Sequence, residues 1–502
     1  NMNKKVRNLI IAGVCVVVLV AALILLLVFS GQQDQEDTAS GVTSALVEDE
    51  VDNTLIDESV EELDYLTVQG ANGSYTVRMA PEPEEGEDYS FTIDEFTDLP
   101  LDRSDIRSAV STFANASYLD MVFEDTTGMD LSAYGLSQPG TTITGSFQGR
   151  VYTMSLGNAT SGVTGQYCML EGDPALYVVA NSMASTLDVN PNTYLDKTIL
   201  EAYDNTDEDP SITNLTIHRP DLPEDIVVEP TDTSKYGDST LTAASSRYEL
   251  TSPVVTLVDP DLETELLFNI FGSEAEDVVA SNPTQQQLEE YGLASPAAEV
   301  SMSWDETGSL NLTIGNETVV SGTTCRYVMK DGSPLVYVVD EELLPWVDYT
   351  ADDLVSALPL VPYIQNVSQM TISFGGNEYT FQLSQVSTGT TNASGQTSTE
   401  THVEYNGTSL DSDNFAVWYQ LVMSCQANGV NRSEVTSDPI MTVTYLYNNG
   451  STDTVDYYDM GNRVVVVSVN GAQAVTTSTS FTNKVQSELQ KLLNGEEVNM
   501  NW

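Results

Sequence analysis

At 502 residues, with 41% hydrophobic side chains, 24 Tyr and 12 Phe, the chain carries apolar surface enough for about three ordinary domains and falls outside the disordered class. Its 75 carboxylates against 17 lysines and arginines give a net charge of -58. That balance excludes nucleic acid as a partner, since such binding draws on basic groups, and it sets the chain against anionic lipid and anionic wall polymers.

Residues 9 to 29 hold no charged side chain, and a helix of that length, at about 1.5 Å per residue, reaches across a bilayer core of about 30 Å. Lys4, Lys5 and Arg7 precede the run while Asp34, Glu36 and Asp37 follow it, so the positive-inside rule puts the N-terminus in the cytoplasm. Residues 1–30 are therefore expected to be a cytoplasmic stub and a transmembrane anchor, with the membrane as first partner and the bulk of the chain outside the cell. The competing reading is a cleaved signal peptide ending near Val28-Phe29-Ser30, for which the apolar run is long. Residues 31–62 read as an acidic spacer with one short helix near residues 55 to 63.

Beyond the spacer the chain repeats itself. Leu131-Ser-Ala-Tyr134-Gly135-Leu136-Ser-Gln-Pro139 returns as Leu288-Glu-Glu-Tyr291-Gly292-Leu293-Ala-Ser-Pro296, a step of 157 residues. Farther on, Tyr167-Cys-Met169-Leu-Glu-Gly172-Asp-Pro174-Ala-Leu-Tyr177 matches Tyr327-Val-Met329-Lys-Asp-Gly332-Ser-Pro334-Leu-Val-Tyr337, a step of 160 residues. Kept order and nearly constant spacing identify two copies of one module, residues 63–205 and 211–355. Residues 363–495 are expected to be a third, diverged copy. Ser437-Asp438-Pro439 stands there without a preceding Tyr-Gly-Leu.

Each copy opens with alternating strands: residues 66 to 68 and 75 to 79 in the first, 215 to 218 and 226 to 228 in the second, 370 to 374 and 379 to 383 in the third. A helix follows, with an apolar stripe of Ile106, Val110 and Phe113, then of Leu267, Ile270 and Phe271, then of Phe415, Trp418 and Val422. Asp102 or Ser104 is the predicted N-cap of the first helix. The Tyr-Gly-Leu segment predicts a short helix stopped at glycine, and the strands after its proline predict a meander whose hairpins turn at Gly172-Asp-Pro174 and Gly332-Ser-Pro334. The expected fold class is α+β: an N-terminal transmembrane helix, then about three repeated modules, each a mostly antiparallel sheet with packed helices. Tyr177 and Tyr337 read as shared core.

The Tyr-Gly-Leu-x-x-Pro segment, the strand pair ending at Leu156-Gly157 or Ile314-Gly315, and the Gly-x-Pro-x-x-Tyr-Val-Val strand together resemble the bacterial family of unknown function DUF4340. The resemblance covers roughly residues 63 to 355. It implies an anchored protein outside the cytoplasm, in some members encoded beside subunits of ABC-type transporters, and hence a possible envelope partner such as a transporter subunit. The family brings no established catalytic residues.

The residues themselves supply no familiar reaction chemistry. His218 and His402, the two histidines, stand in no metal-binding motif, and no nucleophile elbow, P-loop or dinucleotide turn occurs. Three cysteines follow Cys15, namely Cys168, Cys325 and Cys425, and Cys425 reads as a buried thiol. The densest carboxylate groups, residues 82 to 88, 204 to 209 and 411 to 413, read as solvated loops without the alternating ligands of a calcium loop. No cofactor is implied, and no catalytic, metal or ligand-binding residue is singled out. The expected function is a non-catalytic binding or scaffolding protein outside the cytoplasm. The alternatives are a surface adhesin or wall-associated protein and a hydrolase with an undetected site.

Overall fold

Along residues 66 to 69 the side chains of Leu66 and Val68 turn inward while Thr67 and Gln69 stay at least partly exposed, the period of two that a half-buried strand requires, and Leu63 is buried beyond a register shift between Leu63 and Tyr65. A computed structural model describes residues 53–83, 88–161, 164–203, 209–238, 246–391 and 397–501. The sheets of the described residues all lie within the compact unit Thr54–Trp502.

The first sheet holds β1 (Leu63–Gln69), β2 (Ser74–Met79), β3 (Phe91–Ile93), β4 (Tyr118–Phe123), β5 (Thr141–Phe147), β6 (Arg150–Ala159), β7 (Gly165–Leu170) and β8 (Leu176–Ala180). Their order is β3-β2-β1-β5-β6-β7-β8-β4, antiparallel throughout. After β9 (Thr198–Leu200) come β10 (Ile212–His218), β11 (Ile226–Pro230), β12 (Tyr248–Ser252), β13 (Thr256–Leu257), β14 (Ser273–Glu274), β15 (Asp277–Ser281), β16 (Ala298–Trp304), β17 (Gly308–Val320), β18 (Thr323–Lys330) and β19 (Leu335–Asp340). The second sheet runs β13-β12-β11-β10-β16-β17-β18-β19-β15, the same path with one added edge strand. The third is built from β20 (Val367–Phe374), β21 (Asn377–Thr391), β22 (Thr397–Tyr405), β23 (Thr408–Ser409), β24 (Met441–Tyr447), β25 (Thr452–Asp459), β26 (Val464–Val469) and β27 (Ala472–Ser478). Its order, β23-β22-β21-β20-β24-β25-β26-β27, follows the same path as far as β27, with no strand in the place of β4 or β15, although the sequence resemblance is weak there.

The expected α+β class is corrected. The described chain is mostly antiparallel sheet, in four sheets counting the small β9-β14 pair, and its helices are few and short. Alternating β-branched and aromatic residues cover most of each module, so helices serve only to close one face of a sheet. In the second module the stripe of Leu267 and Ile270 is buried by a 3-10 turn (Pro260–Leu262) and a π-helical turn (Thr264–Phe268) in place of the predicted helix. The anchor expected over residues 9 to 29 lies outside the described residues. Among the described residues no helix is long and apolar enough to cross a membrane. The longest, Thr479–Leu493, has 15 residues where about 20 are needed, so the transmembrane element of the expected fold has no counterpart in the described structure. The spacer's short helix is a 3-10 turn, Val60–Glu62.

Two of the predicted helices form where expected. Arg103–Ala114 buries Ile106, Val110 and Phe113, and Asp102 caps it, its carboxylate accepting from the amides of Ser104 (3.0 Å) and Asp105 (3.1 Å). In the third module Ser412–Met423 buries Phe415, Trp418 and Val422 and ties to helix Thr479–Leu493 through the Trp418 indole, which donates to the Val485 carbonyl at 3.1 Å. Burying one such side chain contributes about 1.5–3 kcal/mol.

The Tyr-Gly-Leu segments occupy equivalent places in the first two modules. Gly135 (φ 73) and Gly292 (φ 72) both turn left-handed, and the Asn158 and Asn316 side chains donate to the Ala133 and Glu290 carbonyls, each at 3.2 Å. Tyr134 meets Tyr167 with ring centroids 4.9 Å apart, and Tyr291 meets Tyr327 at 4.5 Å. Tyr177 and Tyr337 are core in both, each hydroxyl bonded to its hairpin turn, at Asp173 (2.7 Å) and Ser333 (2.9 Å).

One kind of joint links successive modules. The tail of the first pairs β9 with β14, with the Ala275 amide donating to the Lys197 carbonyl at 2.8 Å, while the turn Pro191–Tyr194 packs on β15. The tail of the second meets residues 427 to 430 of the third: the Val430 amide donates to Asp352 (2.7 Å) and the Ala427 amide to the Ala357 carbonyl (2.8 Å). At the first module residues 54 to 58 take this place, with Leu55 and Glu58 amides donating to the Ala116 (2.8 Å) and Ala114 (2.9 Å) carbonyls.

A Cβ added at Gly315 would lie 2.2 Å from the Tyr291 carbonyl oxygen, whereas one added at Gly332, a left-handed turn position, meets nothing within 4 Å. Gly315→Ala is therefore expected to cost about 3 kcal/mol by overpacking, against about 1 kcal/mol of backbone strain for Gly332→Ala. Urea denaturation of both variants beside the parent chain checks the ranking, and an equal loss would show that the repeated segment is not held against its strand.

Candidate functional site

The side chains able to do chemistry lie apart. His218, at the end of β10, is exposed, and its Nδ1 stands 2.7 Å from Asp225 Oδ1, a hydrogen bond that raises its pKa. His402 Nε2 is 3.3 Å from Ser409 Oγ and 3.5 Å from Glu404 Oε1. A serine-histidine-acid relay needs serine and acid on opposite ring nitrogens, and here both address the same one on an exposed hairpin. Cys168, Cys325 and Cys425 are buried free thiols. Burial pushes Cys168 and Cys425 up to about 12, away from the thiolate that a nucleophile requires.

The carboxylate groups divide. Residues 84–87 and 204–208 lie outside the described residues, whereas Asp411 is a helix cap, accepting from the Asn414 amide at 2.8 Å. A larger acidic cleft, of about 690 Å³, is lined by Glu265, Asp340, Glu341, Glu342 and Asp348, with Thr323, Thr324 and Tyr349. Several of its acids are engaged within the chain. The Tyr349 hydroxyl donates to Glu265 (2.7 Å), Arg326 to Glu341 (2.8 Å) and the Glu342 amide to Asp340 (3.0 Å). Among the described residues no group of three or more His, Cys, Asp or Glu side chains is placed to hold a metal ion.

The densest polar construction is the contact between the second and third modules. Asp453, on β25, is 0% exposed. Its carboxylate accepts from the Gly237 amide (2.7 Å), the Asn470 side chain (2.7 Å) and the Tyr447 hydroxyl (2.6 Å). Asn470 also donates to the Lys235 carbonyl at 2.8 Å, and Asn366 donates to Asp238 at 2.9 Å, so residues 235 to 238 of the second module are gripped from three strands or turns of the third. Gly237 is the residue that permits the approach, since a Cβ there would lie 2.7 Å from the Thr452 backbone. At the tail of the second module Arg432 reaches Asp352 at 2.5 Å, and this hydrogen bond holds the Asp352 carboxyl below its usual value. Beside it runs an apolar groove of about 360 Å³ lined by Leu222, Pro223, Ile226, Pro253, Val254, Ala351 and Val430, with Glu224 and Arg432. None of these residues stands out in the sequence. Among 75 acids nothing local marks Asp453 or Asp352 as the ones that the fold buries or pairs across modules.

The family model described as domain of unknown function (DUF4340) matches residues 92–246 and 249–432. The two matches begin one 157-residue step apart, the same step that separates the Tyr-Gly-Leu segments, and they establish the internal repeat. No curated protein and no solved structure matches the chain. The chain belongs to the DUF4340 family.

Asp453→Ala would leave three donors without their acceptor in a buried contact, so a loss of about 3 kcal/mol or more in urea unfolding is expected, with faster hydrogen exchange at Gly237. Unchanged exchange at Gly237 would show that the contact does not depend on this carboxylate. For Asp352 the folded pKa lies below the unfolded one. Its contribution is therefore present above the ordinary aspartate value of about 3.9 and is lost as pH falls through the lower folded value. Exchange at the Val430 amide should rise over that acid range in the parent chain, and Asp352→Asn should remove the pH dependence.

Proposed function

We propose that the chain is a non-catalytic binding or scaffolding protein of the bacterial envelope, working outside the cytoplasm as an accessory of a membrane complex. A subunit of an ABC-type transporter is the partner that the family resemblance favours. The observation that carries this reading is the hydrogen-bonded joining of three like modules, tail to edge. Stacked repeats present a long surface of fixed spacing, which suits contact with another protein more than enclosure of a small substrate. The net charge of -58 supports a solvated, self-repelling surface for an exported chain, and the charge asymmetry around residues 9 to 29 supports the same side of the membrane.

Crosslinking in the native membrane followed by mass spectrometry is expected to return one recurrent partner, a transporter subunit. The reading falls if no partner is caught while the purified chain turns over a cell-wall sugar or peptide. Protease added to intact cells should digest the modules, and protection of the chain until lysis would overturn the assigned side.

A further inference from the structure

Helix Thr479–Leu493 holds a buried carboxylate that carries one more cation than its charge requires. Glu488 is 2% exposed, and its Oε1 accepts from Lys491 Nζ at 2.7 Å and from Lys484 Nζ at 3.0 Å. One lysine neutralises one carboxylate, so the second is available for other work. Lys484, whose side chain is 17% exposed, also donates to Asn499 Oδ1 at 3.2 Å. Among the described residues no other lysine Nζ is hydrogen-bonded to both a carboxylate and a carboxamide oxygen. Asn499 is fixed from two further directions: its backbone amide donates to Glu488 Oε2 at 3.0 Å, and its Oδ1 accepts from the Asn501 amide at 3.2 Å. Val498 beside it is buried, and its amide donates to Asn414 Oδ1 at 2.8 Å, which pins the segment to helix Ser412–Met423.

We propose that Lys484 and Asn499 are the two halves of an intramolecular isopeptide bond, which the chain forms by itself with Glu488 as the catalytic base and acid. Joining a lysine to an asparagine needs an amine freed of its proton, a stabilised carbonyl oxygen, and a group that carries protons to the leaving nitrogen. Each is in place. The Glu488 carboxylate takes a proton from the Lys484 ammonium. Nζ then attacks Asn499 Cγ, which lies one C=O bond, about 1.2 Å, from the oxygen that Nζ already touches. The Asn501 amide stays on Oδ1 as negative charge gathers there. The bond from Cγ to Nδ2 breaks as the bond from Cγ to Nζ becomes an amide. Both protons that Nζ sheds, one before the attack and one after it, pass through Glu488 to Nδ2, which leaves as ammonium, and the exposure of Asn499 lets it reach solvent. The positive charge of Lys484 departs with it, and Lys491 remains to neutralise the buried carboxylate, which accounts for the second lysine. The bond would tie residues 498–501 to the helix as a disulfide would, in a chain whose described cysteines are free thiols, and it would form whatever partner the modules meet.

Intact mass spectrometry of the full chain tests this. The parent is expected one ammonia lighter than its sequence, while Lys484→Arg and Asn499→Ala, each with the parent's circular dichroism, keep the full masses of theirs. Trypsin cuts after Lys491 and separates Lys484 from Asn499 unless the two are joined, so the parent should yield one branched peptide carrying both. Glu488→Gln retains both reacting groups and is expected to leave the folded chain unlinked. Linkage in that variant overturns the part given to Glu488. A parent chain at its full sequence mass overturns the proposal whatever the variants do. So does an ammonia loss that persists in Lys484→Arg, or one that maps to an unbranched peptide, as cyclisation at an Asn-Gly pair such as Asn470-Gly471 gives.

Discussion

Main-chain hydrogen bonds between the tail of one module and the edge region of the next set the register of the whole body. β9 on β14, and the Ala427 amide on the Ala357 carbonyl, are bonds that any side chains could accompany, which explains how the arrangement persists where sequence likeness between modules fades. Side chains then specialise each joint. The second has Asp453 gripping the Gly237 amide and a core of buried residues running from the second module into the third, whereas most of the first module keeps a core of its own.

Several of the scarce cations face buried carboxylates. Glu58, Glu249, Glu263 and Glu488 are all buried, and each is met by a basic residue: Arg150 at 2.6 Å, Lys235 at 2.5 Å, Arg247 at 2.9 Å, and Lys491 at 2.7 Å with Lys484 at 3.0 Å. Such pairs add little net stability, but removing one member strands a buried charge at a cost of several kcal/mol. For Glu488 burial pushes the carboxyl up, and the hydrogen bonds from Lys491, the Asn499 amide and Lys484 outweigh it, so the group stays ionised below the usual range. Five of the 17 basic residues are committed in this way.

Local chemistry made part of this legible beforehand. The alternation of residues 66 to 68, the Asp102 cap, the glycine stop after Tyr134 and the Gly-x-Pro hairpins each depend on a few neighbouring residues, and each can be read from them. The placement of β4 beyond β8, and not beside β3, depends on contacts far apart in the chain, which spacing does not carry. The same holds for the joints and for Asp453, whose burial comes from a loop more than two hundred residues earlier. The helix expected in the second module failed for a different reason: the spacing of Leu267 and Ile270 fits one turn of helix as well as several, and a π-helical turn suffices to bury them.

A chain of this charge works against its own compaction, and the kind of joint it uses follows from that. Exposed like charges repel over a screening length of about 8 Å at physiological ionic strength, so modules meeting through charged faces would be pushed apart or would depend on salt. Main-chain bonds and buried aliphatic contacts carry no net charge and escape that dependence. Where charge does enter the second joint it is neutralised on the spot, Asp352 by Arg432, or enclosed by neutral donors, Asp453 by an amide, a carboxamide and a hydroxyl. The acidic exterior can therefore serve solubility and the choice of a partner without weakening the connection between modules, because the two jobs are assigned to different atoms.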